Sequence, residues 1–328
     1  MEKNKRIFTD QELSLVSEAD KNNQYQEVTR SSLSFNKETL LILLHNKTVV
    51  ICAIILIILI LGSIIFPMIS SFDYASQNVA FANKPFFSAD PNTGSLHIFG
   101  TDHLGRDLFV RIWYGIRMSL IVASVAALID TVVGVLYGCI SAYFGGTVDN
   151  IMMRFLEVIS GIPYLIVVLL LMAVLPQGIG TLILAYTLIG WTGMARLVRG
   201  QVLSLNHKEY IIASKVMGGR MIHIIRYHLI PNIMGLIIVN LTLDIPDIIF
   251  TEAFLSMLGM GIPAPFPSLG VMANEGISVF QTYPIRLIIP SLLIFLITLS
   301  FNLLGDQFQD VINPKLRRGM KYGKRSKN

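Results

Sequence analysis

At 328 residues the chain is 53% hydrophobic and only 14% charged, against roughly a quarter charged in soluble globular domains. That balance excludes a water-soluble globule, and the apolar residues are gathered into long runs rather than spread over one core. The net charge of +5 calls for no nucleic-acid partner, because the Lys and Arg cluster at the ends of those runs as they do in membrane proteins.

The first 47 residues are polar and charged, unlike a cleavable secretory leader. They read as a cytoplasmic tail that closes on a greasy interfacial patch, Leu40–Leu44. Six membrane spans are then predicted, at Thr48–Phe72, Met118–Gly146, Phe155–Pro176, Gly178–Ala195, Asn232–Thr251 and Leu287–Gly305. Seven Lys or Arg precede Thr48, six lie between Arg196 and Arg226, seven lie from Lys315 onward, and only five fall on the opposite side. This positive-inside bias predicts that both termini are cytoplasmic. The expected organisation is a tail (1–47), a first span with an outer segment (48–116), a five-span core (117–310) carrying a cytoplasmic loop (203–231), and a basic tail (311–328). Cys52 and Cys139 both fall inside predicted spans and supply no disulfide framework and no metal spacing.

In the outer segment, Gly100 and Asp102 predict a turn and Asp107 a helix start, with Trp113 and Tyr114 suited to the membrane interface. Gly134 and Gly138 in span two form a small-xxx-small pair that lets another helix approach closely. Arg154 and Glu157, three apart, predict a local ion pair. Pro163 predicts a kink, at a place suited to a gate. In span five, Asn240, Asp244 and Asp247 are spaced to share one helical face. They either line a polar path or pair internally, with Arg154 or Asn240, and a helix break at Pro246 would separate them.

Between spans four and five, Lys208–Met217 holds no Gly or Pro and reads as a short helix. Gly218 and Gly219 permit a turn, and a second helix follows with Ile222, Ile225 and Leu229 on one face and Pro231 at its end. This hook is either a docking surface or an ordinary solvated loop. No G-x-x-x-x-G-K-[ST] loop, nucleophile elbow or H-E-x-x-H occurs, so no catalytic, cofactor or metal-binding residue is expected in this chain.

Five stretches resemble one family. His97–Leu120 is similar to the H-x-x-G-T-D-x-L-G-R-D-x-x-x-R-x-x-x-G-x-R-x-S-L signature of the second membrane subunit of oligopeptide, dipeptide and nickel ABC importers. Tyr143, Gly145, Gly146, Asp149, Met153 and Arg154 fit the family's G-Y-x-G-G-x-x-D-x-x-x-M-R, with Ala142 in place of the first glycine. Glu252–Gly261 resembles E-A-x-L-S-x-L-G-x-G, and Phe301–Asp306 resembles F-N-x-L-G-D. The hook resembles the EAA loop. Counting from Gly218 puts Ile212, Ala213 and Ser214 at the E-A-A positions and Pro231 at the closing proline; the glutamate is absent, and Glu209 lies one turn earlier.

The resemblance implies an all-α, six-span type I ABC importer permease in a prokaryotic plasma membrane. Its implied partners are a homologous second permease, two ATPase subunits that use ATP and Mg, an extracytoplasmic substrate-binding protein, and membrane lipid. It also implies that the hook couples to an ATPase. There Lys208, Glu209 and Tyr210 make contacts, Ile212, Ala213 and Ser214 sit at the joint, Gly218 permits the bend, and Ile222, Ile225 and Leu229 hold the second helix to the spans. Peptides are the first expectation for cargo, with nickel or glutathione as alternatives. Two other classes are open: an ion-coupled secondary transporter working through Asp130, Glu157, Asp244 and Asp247, and a membrane anchor or sensor that transports nothing.

Overall fold

A computed structural model describes residues 43–91 and 94–312. Of the tails expected at 1–47 and 311–328, residues 1–42, with the first part of Leu40–Leu44, and 313–328 lie outside the described residues.

Helix α1, Lys47–Ile69, opens at Asn46, whose side chain accepts the Thr48 amide at 3.0 Å and also bonds Gln307. Its 23 residues reach about 35 Å, enough to cross a bilayer core. Pro67 lies inside it and removes the amide that would bond the Ser63 carbonyl. Arg117 replaces that amide, donating from Nε at 3.0 Å and Nη2 at 2.6 Å to the same oxygen. One turn earlier, Trp113 lies across Gly62 so closely that a Cβ there would meet the ring at 2.4 Å.

A short antiparallel hairpin follows, β1 (Ser88–Ala89) with β2 (Leu96–His97). Helix α2, Leu108–Phe144, then runs unbroken for 37 residues from its N-cap Asp107, whose carboxylate accepts the Val110 amide at 2.7 Å. The boundary expected at 116/117 therefore falls inside a helix: the charged first turns are held by buried ion pairs and need no break from the span. Arg106 Nε reaches Asp102 at 2.6 Å, and Arg106 and Arg111 converge on Glu275 at 3.2 and 3.1 Å. Arg286 donates to the Thr101 carbonyl at 2.7 Å.

The third expected span is not one straight helix. It is α3 (Gly146–Ser160) and α4 (Tyr164–Val174), bent by 73°. Pro163 has no amide to give and bars Ile162 from helical geometry, so the helix stops and restarts there. Helix α5 is Ile179–Leu205, and α6, Glu209–Val216, begins the hook. Next come α7 (Met221–Ile224), a π-helical turn (Ile225–Leu229) and α8 (Ile230–Met257), then α9 (Leu269–Ser278) and α10 (Ile285–Ile312). Among the described residues, five segments are long and apolar enough to cross a membrane, six when the bent pair is counted as one span.

Helix α2 is the centre of the bundle. Gly134 and Gly138 let α5 approach as the small-residue spacing predicted: a Cβ at Gly138 would lie 2.5 Å from the Ala195 carbonyl. At the hairpin end, Glu252 of α8 is buried and accepts the hydroxyls of Ser268 at 2.6 Å, Ser256 at 3.0 Å and Ser119 at 3.3 Å. One carboxylate thereby ties α8 to α2 and to the start of α9. Pro246 does not break α8, which continues through it.

Candidate functional site: the hook between two spans

Helix α6 ends in a Schellman turn. The Gly219 amide bonds the Ser214 carbonyl at 2.9 Å, and the Gly218 amide bonds Lys215 at 3.1 Å. Gly218 has φ +78°, the left-handed conformation that L side chains resist. Gly219 is needed for closeness, since a Cβ there would lie 2.7 Å from the Ser214 carbonyl. Ile211 and Ser214, three apart, are the buried residues of α6; Ile211 joins Ile224, Ile225 and Leu229 in an apolar cluster with Val202, Cys139 and Ile233.

Polar contacts fix the hook to the ends of α2 and α5. The Asn206 side chain donates to the Ala142 carbonyl at 2.6 Å. Lys215 donates to Asn206 at 3.3 Å and stands 4.7 Å from the Tyr143 ring centroid. Nearby, Arg199 of α5 forks onto Asp149 of α3 at 2.6 and 2.5 Å, and Ser141 donates to the same carboxylate. No sequence pattern pairs the residues of these latches, although Ala142, Tyr143 and Asp149 lie in one motif.

Two expectations about the hook are overturned. Pro231 does not end the second helix but occupies the first turn of α8. The π turn before it widens the backbone, the Ile230 amide bonds back to Ile225, and the Asn232 side chain donates to the His228 carbonyl at 2.6 Å, so the missing proline amide is accommodated. Ile222 does not pack against the spans: it is 73% exposed, and Ile224, fully buried, fills the role expected of it. Ile225 and Leu229 are buried as expected.

The outward surface of the hook carries large apolar side chains among the exposed Arg220, His223 and Arg226. Tyr210, Ile212, Val216, Met217, Ile222 and Tyr227 are exposed, with Lys208, Glu209 and Ala213 also at the surface. A rigid helix–turn–helix fastened from behind and presenting large apolar side chains has the form of a docking element.

The acids of the spans are arranged differently. Asp244 lies within electrostatic range of Asp130 and of Asp247, and no cation of the described residues pairs with either Asp244 or Asp247. Internal pairing with Arg154 or Asn240 is not found: Arg154 holds Glu157 at 2.9 Å, both exposed, and Asn240 donates to its own helix at Leu236. Glu157 thus has a cation partner, as Asp244 and Asp247 do not. Pro163 stands at the 73° bend, before Tyr164, which is in electrostatic range of Asp130.

Residues 134–318 match the family described as binding-protein-dependent transport system inner membrane component, and residues 34–86 match the N-terminal TM domain of oligopeptide transport permease C. The dipeptide transport system permease protein DppC of Bacillus subtilis is 48% identical over 300 residues, 91% of this chain and 92% of its own length. The oligopeptide transport system permease protein OppC of the same organism is 44% identical over 293 residues, 89% of this chain and 94% of its own length. OppC of Escherichia coli is 39% identical over 274 residues, covering 84% and 89% of the two chains. Among solved structures, the inward-facing MetNI methionine ABC transporter aligns with 62% of this chain and 96% of its own, at TM-score 0.49 and 17% identity.

Proposed function

The chain belongs to the family of binding-protein-dependent transport system inner membrane components, and from that premise we propose that it forms half of the membrane path of a peptide importer driven by ATP. The other half is a homologous second permease. Two ATPase subunits sit on the cytoplasmic side and bind the ATP and Mg for which this chain has no phosphate loop, and an extracytoplasmic protein delivers the peptide. Both termini and the hook face the cytoplasm, a reading supported by the Lys and Arg bias. Peptide cargo is supported by relatives named for dipeptide and oligopeptide transport.

The observation that carries the coupling role is the hook itself, locked to α2 and α5 from behind and presenting large apolar side chains in front. An ATPase cleft receives α6 through Tyr210, Ile212 and Ala213, with Lys208 and Glu209 at the rim of the contact. Closure of the ATPase pair then moves the spans as rigid bodies. Pro163, Asn240, Asp244 and Asp247 are placed on the path or its gate by the same reading, with uncompensated acids suited to a hydrophilic cargo.

The test is a pull-down of tagged, detergent-solubilised chain beside an uptake assay. The expected result is co-purification of a homologous permease and phosphate-loop ATPases, with the ATPases lost when 209–219 is scrambled. Gly218→Val should insert normally yet hydrolyse ATP without uptake, because a β-branched residue cannot hold the left-handed turn at Gly218. Normal uptake by that variant refutes the hook's role, and recovery of the chain alone with uptake independent of ATPases refutes the whole reading.

A further inference from the structure

At the hairpin end, a cavity of about 230 Å³ opens between the outer segment, α2, α9 and α10. Phe86, Phe99, Leu108, Ile112, Met272 and Ile289 give it apolar walls. Leu108 and Ile112 belong to the first turns of α2, and Ile285 and Ile289 to those of α10, so the cavity sits at the N-terminal ends of these two helices. Its charged lining is Lys84 and Arg286, with no carboxylate among the lining residues. Both cations are positioned by aromatic rings, Lys84 at 5.1 Å from the Phe81 centroid and Arg286 at 4.3 Å from that of Tyr283. The cavity is continuous at Ile285 with an exposed apolar stripe on α10, carried on by Ile288, Leu292, Phe295 and Leu299 at spacings of three and four.

We propose that this cavity binds an anionic phospholipid, the acyl chain lying along Ile285, Ile289 and the α10 stripe and the phosphate headgroup meeting Lys84 and Arg286. The two requirements separate in space as they do in a lipid. The apolar walls join the α10 stripe, which runs on away from the outer segment, and both cations stand at its near end, Lys84 in the outer segment and Arg286 in the first turn of α10. Asp102 and Glu275 are bonded by Arg106 and Arg111. Arg286 feels both acids and gives Nη2 to the Thr101 carbonyl, and its other guanidinium N–H groups, with the exposed Lys84, are left to an external anion. A bound lipid would brace the outer segment against α10 at the mouth of the path.

The experiment measures phospholipid retained by the full-length chain after reconstitution with an equimolar mixture of phosphatidylglycerol and phosphatidylcholine and gentle detergent extraction, read by native mass spectrometry. Wild type should retain phosphatidylglycerol in preference. Lys84→Glu should cut that preference by about fivefold or more, the effect of one basic group at an anionic headgroup. Ile289→Trp, which fills the cavity, should abolish retention while the protein still elutes as a single folded species. Retention without headgroup preference, or equal retention by a folded Ile289→Trp variant, overturns the proposal. So does a cavity that becomes protected from labelling at Ile289→Cys only when the second permease or the binding protein is added.

Discussion

The contact between Arg117 and the Ser63 carbonyl exists because Pro67 leaves that carbonyl without its helical partner. Replacing Arg117 with Leu removes two hydrogen bonds from a charged donor and leaves a backbone carbonyl bare near the end of a lipid-embedded helix. Hydrogen bonds to charged groups contribute about 1.5–3 kcal/mol each, and they share one acceptor here, so a loss of about 2–4 kcal/mol is expected. Pro67→Ala restores an amide at the position that bonds the Ser63 carbonyl. In that background Arg117→Leu should cost about 1–2 kcal/mol less, a coupling read from the double-mutant cycle. Unfolding can be followed by the fluorescence of Trp113, which packs at 4.7 Å against Phe66 beside the contact; Trp191→Phe removes the only other tryptophan. Equal costs in the two backgrounds would falsify the account and make Arg117 an interfacial charge that merely lies close to α1.

Two further outcomes follow from the buried carboxyls. Glu252→Ala leaves three serine hydroxyls without their acceptor and should lower stability by about 3 kcal/mol or more; Glu252→Gln keeps one acceptor oxygen and should lose less, as thermal unfolding in detergent will show. Burial pushes the Asp107 carboxyl up from its ordinary 3.8, against the opposing hydrogen bonds from Val110 and His97. Between 3.8 and that raised value the folded chain holds the proton more firmly than the unfolded chain, so this group's contribution to stability is present at the acid end and is lost as pH rises through the window. Asp107→Asn should flatten that part of the melting-temperature profile, and an unchanged slope would assign it to another group.

The spans were legible because lipid demands uninterrupted apolar helix, and runs such as Thr48–Phe72 carry no charge. Gly134 and Gly138 announced the close seam with α5 for the same reason: only a missing side chain allows backbone contact at 2.5 Å. What misled was proline. Pro231 reads as a helix end and Pro246 leaves a break open, yet Pro231 follows a π turn into the first turn of α8 and Pro246 lies inside that unbroken helix; Pro163 does break its helix, because Gly161 and Pro163 together leave two weak positions. The hook's inner face was misassigned at Ile222 because a four-residue helix followed by a π turn does not keep the 3.6-residue period that the spacing assumed. Latches such as Lys215–Asn206 join residues whose pairing no local pattern encodes.

The continuity that Pro231 failed to interrupt has a mechanical consequence for the proposed coupling. From Met221 to Met257 the chain is one helical rod of 37 residues, about 55 Å long. One end carries the hook; the other is clamped through Glu252 to Ser119 and Ser268; Asp244 and Asp247 lie between. A force applied at the hook therefore turns α8 about its clamped end, and displacement at the acids is a fixed share of displacement at the hook only while the rod stays stiff. Replacing Ile230 and Pro231 together with glycine should soften the rod at its junction without touching the outward face of α6, since glycine in a helix costs about 1 kcal/mol per residue relative to alanine. The variant should still recover ATPases in a pull-down and still hydrolyse ATP, but import less peptide per ATP. Unchanged import per ATP would mean that motion reaches the path through α5 and α2, by way of the Asn206 and Arg199 latches, rather than through α8.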